Sequence, residues 1–65
     1  MENMQKFILR TEDGFYLYKD EKFGFNRLVS DIEKATRFNY DDAVKESNLM
    51  IQISDIKTNL IKYKP

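Results

Sequence analysis

The chain has 65 residues with eleven basic and eleven acidic side chains, so its formal net charge is zero. It contains neither cysteine nor histidine, which excludes disulfides, thiolate metal sites and the commonest general base. A chain of this length forms one domain, and its 42% hydrophobic content is enough for a core. We therefore expect a single domain, residues 1–65, held together by apolar packing.

Charge and hydropathy also restrict the partners and the location. Because attraction to phosphate depends on excess positive charge, a neutral chain argues against nucleic acid as a partner. The opening MENMQKFILR lacks the apolar run of a signal peptide, and no stretch approaches membrane-spanning length. The sequence thus predicts a cytoplasmic protein without a membrane partner.

The segment QKFILRTEDGFYLYK predicts a β-hairpin. Apolar and polar residues alternate on both sides of Glu12-Asp13-Gly14, where glycine can take the positive φ that a tight turn requires. The more apolar face of the predicted hairpin carries Phe7, Leu9, Phe15 and Leu17. The opposite face carries Lys6, Ile8, Arg10, Tyr16 and Tyr18.

Residues 20–29 predict a loop followed by a short strand. The loop, DEKFGFN, contains the second of the two glycines in the chain. Residues 27–29 are suited to a short third strand, which would extend the hairpin.

The segment SDIEKATRF predicts one helical turn followed by a core residue. Ser30 and Glu33 have the spacing of a capping box, in which each side chain satisfies the backbone N–H of the other. The turn that follows would place Ile32 and Ala35 on the same side. We expect Phe38 to be buried behind it.

A second helix is predicted to begin after Asn39. Asn39 is a suitable N-cap, and Asp41 and Asp42 lie in the first turn, where the helix dipole favours negative charge. We expect this helix to run from Tyr40 to about Ile56 with one arc facing the core. The arc consists of Tyr40, Ala43, Val44, Ser47, Met50, Ile51 and Ser54.

The second half of this helix has an alternative. LMIQI could form a strand with Leu49, Ile51 and Ile53 on one face, since β-branched side chains suit strands. The continuous arc at helical period favours the helix. In both cases NLIKYK, residues 59–64, predicts a final strand.

Together these elements predict an α+β fold with the order β-β-(β)-α-β. The N-terminal hairpin and the C-terminal strand form a small antiparallel sheet, which packs against one main helix. The expected core contains Phe7, Leu17, Ile32 and Phe38, with Val44 and Ile51 packed over them.

The residues that usually carry catalysis are sparse. The serines have no histidine to activate them. Asp41 and Asp42 are adjacent, so on a helix they point about 100° apart rather than toward one substrate. The loop carboxylates lack the spacing of a calcium loop. We therefore expect a protein that is not an enzyme and that uses neither a metal nor another cofactor.

Leu49, Ile53 and Ile56 form an apolar stripe opposite the core arc of the predicted helix. One small sheet cannot cover both sides of a helix, so such a stripe indicates a partner. We expect a protein partner at this stripe, most simply a second copy of the chain in a homodimer. If the segment is a strand, the same residues belong to the core.

The outer hairpin face offers an alternative function. Its residues are Lys6, Arg10, Tyr16 and Tyr18, with Lys19 nearby. Tyrosines among basic residues on an open sheet are typical of surfaces that bind single-stranded nucleic acid. A nucleic-acid or nucleotide-binding module is therefore the second hypothesis, although cross-strand tyrosine pairs also occur in ordinary sheets.

Four short motifs resemble, in their order, a group of small proteins encoded by phages and prophages. The motifs are Lys6-Phe7-Ile8-Leu9, Gly14-Phe15-Tyr16-Leu17, Asp31-Ile32 with Ala35 and Phe38, and Asp41-Asp42-Ala43. The resemblance concerns the fold, so it transfers no functional residues, and the isoleucine-rich C-terminal third departs from it. It implies a protein that serves host takeover by disabling a host factor, for example an anti-CRISPR inhibitor of a CRISPR nuclease.

Overall fold

Four strands and one long helix are formed within residues 5–63, the part of the chain that the computed structural model describes; of Phe25, only the backbone is described. The strands are β1 (Lys6–Thr11), β2 (Tyr16–Asp20), β3 (Phe25–Val29) and β4 (Thr58–Tyr63). A 3-10 turn (Ile32–Lys34) and helix α1 (Tyr40–Ser54) lie between β3 and β4. The strands form one antiparallel sheet in the order β3-β2-β1-β4, which confirms the predicted α+β fold.

The hairpin turn forms as predicted, but β1 and β2 diverge beyond it. Gly14 has a φ of 92°, and the Thr11 N–H donates to the Phe15 carbonyl at 2.7 Å. Within the described residues, the one directly opposed pair of these two strands is Arg10 with Tyr16. By contrast, β1 pairs with β4 along its whole length, and β2 pairs with β3 in the same way.

Residues 35–38, which we call the inserted segment, fill the gap between β1 and β2. The Thr36 N–H donates to the Leu17 carbonyl of β2 at 3.0 Å, and the Thr36 hydroxyl accepts the backbone N–H of Lys19, also in β2, at 2.8 Å. On the other side, Phe7 of β1 and Phe38 exchange two backbone hydrogen bonds of 2.7 and 2.8 Å. The inserted segment thus satisfies backbone groups that a closed hairpin would have paired.

The inserted segment also carries the chain from one face of the sheet to the other. The chain before it borders a groove with Tyr18 and Val29, on the face away from α1. Within it the side chains alternate: Phe38 enters the core beneath α1, whereas Arg37 stacks on Tyr63 on the opposite face. We call the face covered by α1 the helix side and the opposite face the second face.

Helix α1 is continuous, as its apolar arc predicts, so the alternative strand at residues 49–53 is wrong. Asn39 caps it as predicted, since its side-chain oxygen accepts the Asp42 N–H at 2.8 Å. The helix ends at Ser54, because Asp55 adopts a left-handed φ of 55° and its N–H donates to carbonyls of the last turn.

The core lies between α1 and the helix side of the sheet. Its buried side chains are Leu9, Leu17, Phe38, Ala43 and Met50, with Phe7, Ile56 and Leu60 packed against them. The predicted burial of Leu17 and Phe38 is confirmed, and Phe7 and Val44 are half-buried.

The predicted burial of Ile32 is wrong, since this side chain is 41% exposed. The 3-10 turn is capped by Asp31 rather than by Ser30: the Glu33 N–H donates to the Asp31 carboxylate at 3.0 Å. Ala35 already has an extended backbone, so the helical spacing that would place it beside Ile32 does not hold. Ala35 is buried and Ile32 faces solvent.

The predicted burial of Ile51 is also wrong, since it is 42% exposed. The buried strip of α1 consists of Ala43, Glu46, Ser47 and Met50. Tyr40 and Ser54, at the two ends of the helix, are exposed as well. Relative to the prediction, the helix is rotated about its axis so that Glu46 faces the sheet, where its carboxylate pairs with Lys19. This rotation moves Ile51 out of the core.

Strand β1 is covered on both faces. Leu9 is 0% exposed in the core, and its neighbour Ile8, which points to the second face by strand alternation, is 1% exposed. Ala35 of the inserted segment is likewise buried outside the core cluster. The outer hairpin face is therefore less open than predicted.

Candidate functional site

A groove, which we call the helix-side groove, lies between α1 and β3. Because α1 packs mainly on β1 and β4, β3 at the edge of the sheet is left uncovered. The groove has a volume of about 500 Å³. Its apolar lining consists of Leu28, Leu49, Met50, Ile53 and Ile56. Ile53 is 77% exposed and Leu28 is also exposed, so apolar surface here is open to water.

The predicted stripe of Leu49, Ile53 and Ile56 lines this groove. Leu49 and Ile53 lie on the flank of α1 that borders β3, rather than on the side opposite the sheet. Ile56 lies beyond the end of the helix, because Asp55 redirects the chain, and it packs against the core. Leu28 of β3, which the sequence pattern did not single out, completes the apolar lining.

An ion pair connects α1 to the sheet beside this groove. The Lys19 Nζ of β2 lies 2.7 Å from the Glu46 Oε2 of α1. The Glu46 side chain is buried, whereas the Lys19 side chain is 42% exposed. The hydrogen bond to Glu46 and the negative charge of that carboxylate raise the pKa of the Lys19 amine. Lys19 therefore belongs to the helix side and does not join the basic residues of the outer hairpin face.

All four residues predicted for the nucleic-acid face lie on the second face by strand register. Arg10 opposes Tyr16 across the hairpin, and Tyr18 follows on the same face by strand alternation. Arg10 is exposed, and both tyrosines are half-buried. The fourth residue, Lys6, opposes Tyr63 at the edge of this face and also lines a separate depression together with Asp42 of α1.

Three further cations lie on the second face. Arg27, Lys34 and Arg37 line, together with Tyr18, a groove of about 630 Å³, which we call the second-face groove. Glu33 is the one carboxylate among its lining residues. The placement of Arg27 on this face follows from the strand register, because Arg27 opposes Tyr18. No local pattern indicates Lys34 or Arg37, because their placement depends on the inserted segment.

Arg37 is fixed in place by Tyr63 of β4. Its guanidinium donates to the Tyr63 hydroxyl at 2.8 Å, and the guanidinium carbon lies 4.2 Å from the centroid of the ring. This arrangement combines a hydrogen bond with a cation–π contact. Among residues 5–63, no carboxylate pairs with this guanidinium.

Helix α1 and the second face carry opposite charge although the chain is neutral. The charged residues of α1 and its C-cap are Asp41, Asp42, Lys45, Glu46 and Asp55, which sum to one minus four, or −3. The cations of the second face are Lys6, Arg10, Arg27, Lys34 and Arg37. With the carboxylates of Glu33 and of Asp20, which follows Tyr18 by strand alternation, they sum to five minus two, or +3.

Compared with protein-family models, with curated proteins and with solved structures, the chain shows no match. No helix within residues 5–63 is long and apolar enough to cross a membrane. The same part of the chain contains no group of three or more acidic side chains that could hold a metal ion. Function is therefore inferred from the two grooves and their charges.

Proposed function

We propose that this chain is a small interaction protein that acts by stoichiometric binding to a protein partner. The observation that supports this function is the helix-side groove, where Ile53 of α1 and Leu28 of β3 are exposed beside the edge of the sheet. Contiguous exposed apolar surface on a small domain is typical of an interaction site. Lys19 and Asn26 give the groove a polar rim, as protein interfaces have.

The groove offers a partner two kinds of contact. Burying an exposed aliphatic side chain such as Ile53 contributes about 1.5–3 kcal/mol before association costs. Within the described residues, β3 pairs only with β2, so its outer edge can accept the backbone of an added strand. A partner that supplies an apolar side chain and an extended segment fits both features.

The simplest occupant is a second copy of the chain, related by a two-fold axis in a homodimer. The resemblance to small phage-encoded proteins suggests that the protein partner is a bacterial host or defence factor, such as a CRISPR nuclease. In this proposal the chain inhibits the factor by covering part of its surface. No catalytic step is involved, so the effect requires one bound chain for each target.

Ile53→Asp tests this proposal, with Gln52→Asp as a matched control. Gln52 is the neighbouring exposed residue of α1 and does not line the groove. Sedimentation at several concentrations measures self-association, affinity capture from a bacterial lysate measures target binding, and circular dichroism measures folding. We expect the parent and Gln52→Asp to behave alike, while Ile53→Asp stays folded and loses association or capture.

Two outcomes would overturn the proposal. The first is equal association and capture by all three proteins, which would show that the groove has no partner. The second is unfolding of Ile53→Asp, which would show that Ile53 belongs to the core rather than to an interface.

A further inference from the structure

All three arginines of the chain and three of its four tyrosines lie on the second face. They form three neighbouring arginine–tyrosine pairs, because directly opposed residues of adjacent strands share a face. The pairs are Arg10 with Tyr16, Arg27 with Tyr18, and Arg37 with Tyr63. Guanidinium groups and phenol rings are both planar, and both stack on unpaired nucleic-acid bases.

The cations of this face are not neutralised within the described chain. The one ion pair among residues 5–63, Lys19 with Glu46, lies on the helix side. Glu33 lines the second-face groove but forms no ion pair with Arg27, Lys34 or Arg37. The face therefore offers excess positive charge to an anionic ligand.

Among the described side chains, the second face has no group of exposed large apolar residues at its centre, such as a protein interface usually has. The exposed large apolar residues of the described chain are Phe15, Phe23, Leu28, Ile32, Tyr40, Ile51 and Ile53. Leu28, Ile51 and Ile53 belong to the helix side, and Phe15 points there by alternation with Tyr16. Ile32, in the turn that leads into the inserted segment, is the one exposed aliphatic residue of the described chain near this face, since Ile8 is buried and Val29 and Ile61 are half-buried. Its chemistry thus favours a polyanion with flat groups over a protein surface.

We infer that the second face binds single-stranded nucleic acid. Arg27, Lys34 and Arg37 would hold phosphates along the second-face groove, and Tyr18 would stack on a base. A single strand fits better than a duplex, because base stacking on a side chain requires an unpaired base. The face also presents no helix that could enter a major groove.

The neutral total charge does not prevent this binding. The acidic residues of α1 lie on the other side of the sheet, about 10 Å away, the usual thickness of one layer of secondary structure. The Debye length is also about 10 Å at moderate ionic strength, so their effect on the second face is strongly screened.

A fluorescently labelled oligothymidylate is the probe, and its anisotropy is measured at several salt concentrations. The test variant is the double substitution Arg27→Glu with Lys34→Glu, both of which change exposed residues. The matched control, Lys45→Glu with Lys57→Glu, makes the same charge change at exposed positions away from this face. We expect at least tenfold weaker binding for the test variant only. The slope of log affinity against log salt should become shallower by about 0.7 for each phosphate that the variant no longer neutralises.

Tyr18→Ala tests stacking, with Tyr40→Ala as the control on α1. We expect Tyr18→Ala to weaken binding by about 5- to 150-fold without changing the salt slope, since a stacked base releases no counterion. Tyr40→Ala should bind like the parent. Circular dichroism measures whether each variant is folded. If Tyr18→Ala does not fold, the double charge variant still tests the inference.

Four outcomes would overturn the inference. They are no saturable binding at low salt, equal weakening by the test and control charge variants, equal binding of a duplex, and equal competition by polyglutamate. The last would make this face a docking site for an acidic protein. The inference does not rest on the proposed function, because Ile53→Asp should bind the oligonucleotide like the parent.

Discussion

The helix side and the second face of the sheet differ in the properties that govern binding. The helix side has an apolar groove and an excess of carboxylates on α1. The second face has three arginine–tyrosine pairs and an excess of cations. The chain crosses between them through the inserted segment, so residues adjacent in sequence, such as Arg37 and Phe38, serve opposite sides.

This comparison shows that total charge is a poor guide to partners in a domain with two faces. Eleven cations and eleven carboxylates cancel in the sum. They do not cancel locally, since α1 with its C-cap carries a net charge of −3 and the second face one of +3, over a distance comparable to the Debye length. Each side can therefore meet a different class of partner.

The largest expected effect comes from truncating Phe38, the buried side chain of the inserted segment. Phe38→Ala should lower the free energy of unfolding by about 3–5 kcal/mol, because a large buried aromatic ring is removed. A domain has only about 5–15 kcal/mol in total, so both faces should be disrupted together. Urea denaturation measures the change, with exposed Ile32→Ala as a control expected to cost less than about 1 kcal/mol. Equal stability of Phe38→Ala and the parent would disprove the structural role of the inserted segment.

An intermediate effect is expected from the ion pair that orients α1. Lys19→Met leaves the buried Glu46 carboxylate without its partner, which should cost about 1–3 kcal/mol. We expect the lower end of this range, because the Lys19 side chain is 42% exposed and water can screen the pair. Adding Glu46→Gln should restore most of the stability. A double variant no more stable than Lys19→Met would contradict this account.

The same pair gives a pH dependence with a defined sign. The pKa of Lys19 is raised in the folded state by Glu46, so its stabilising contribution is complete below the usual lysine pKa of about 10.4. The contribution is lost as the pH rises above that value through the folded-state pKa. The stability difference between the parent and Lys19→Met should therefore be constant near neutrality and shrink in alkaline solution, as measured by denaturation at each pH.

The smallest effect is expected at the end of α1. Asp55 has a left-handed backbone and places a negative charge at the negative end of the helix dipole. Asp55→Gly should raise the free energy of unfolding by about 0.5–1 kcal/mol, since relief of strain exceeds the added freedom of the unfolded chain. Thermal denaturation measures the gain. Asp55→Ala, which removes the charge but keeps the strain, should gain less, and the reverse order would contradict the strain argument.

Most features that depend on neighbouring residues were predictable from the sequence, although the local capping box at Ser30 is replaced by a cap at Asp31. Gly14 closes the hairpin and Asn39 caps α1, because both act on backbone groups within a few residues. The continuous α1 also follows from one apolar arc at helical period. These local rules were sufficient to predict the α+β fold and the order of its elements.

Features that depend on distant contacts were not predictable. The alternating pattern of β1 and β2 is the same whether they pair fully or only at Arg10 and Tyr16. Nothing local indicates that Thr36 would bond to β2 and Phe38 to β1. The placement of Arg37 on the second face follows from this insertion, so only part of the basic surface could be derived from the hairpin.

The inserted segment also has a consequence for the order in which the chain folds. A hairpin forms within about 1–10 μs, whereas a ribosome adds only about 5–20 residues per second. During synthesis β1 and β2 therefore have time to pair long before residues 35–38 emerge. Continued in its native register, their pairing would place Ile8 opposite Tyr18 and close the gap that these residues later occupy. A hairpin paired in this way would have to reopen at its base before the chain could cross, so the marginal stability of an isolated hairpin favours the native sheet.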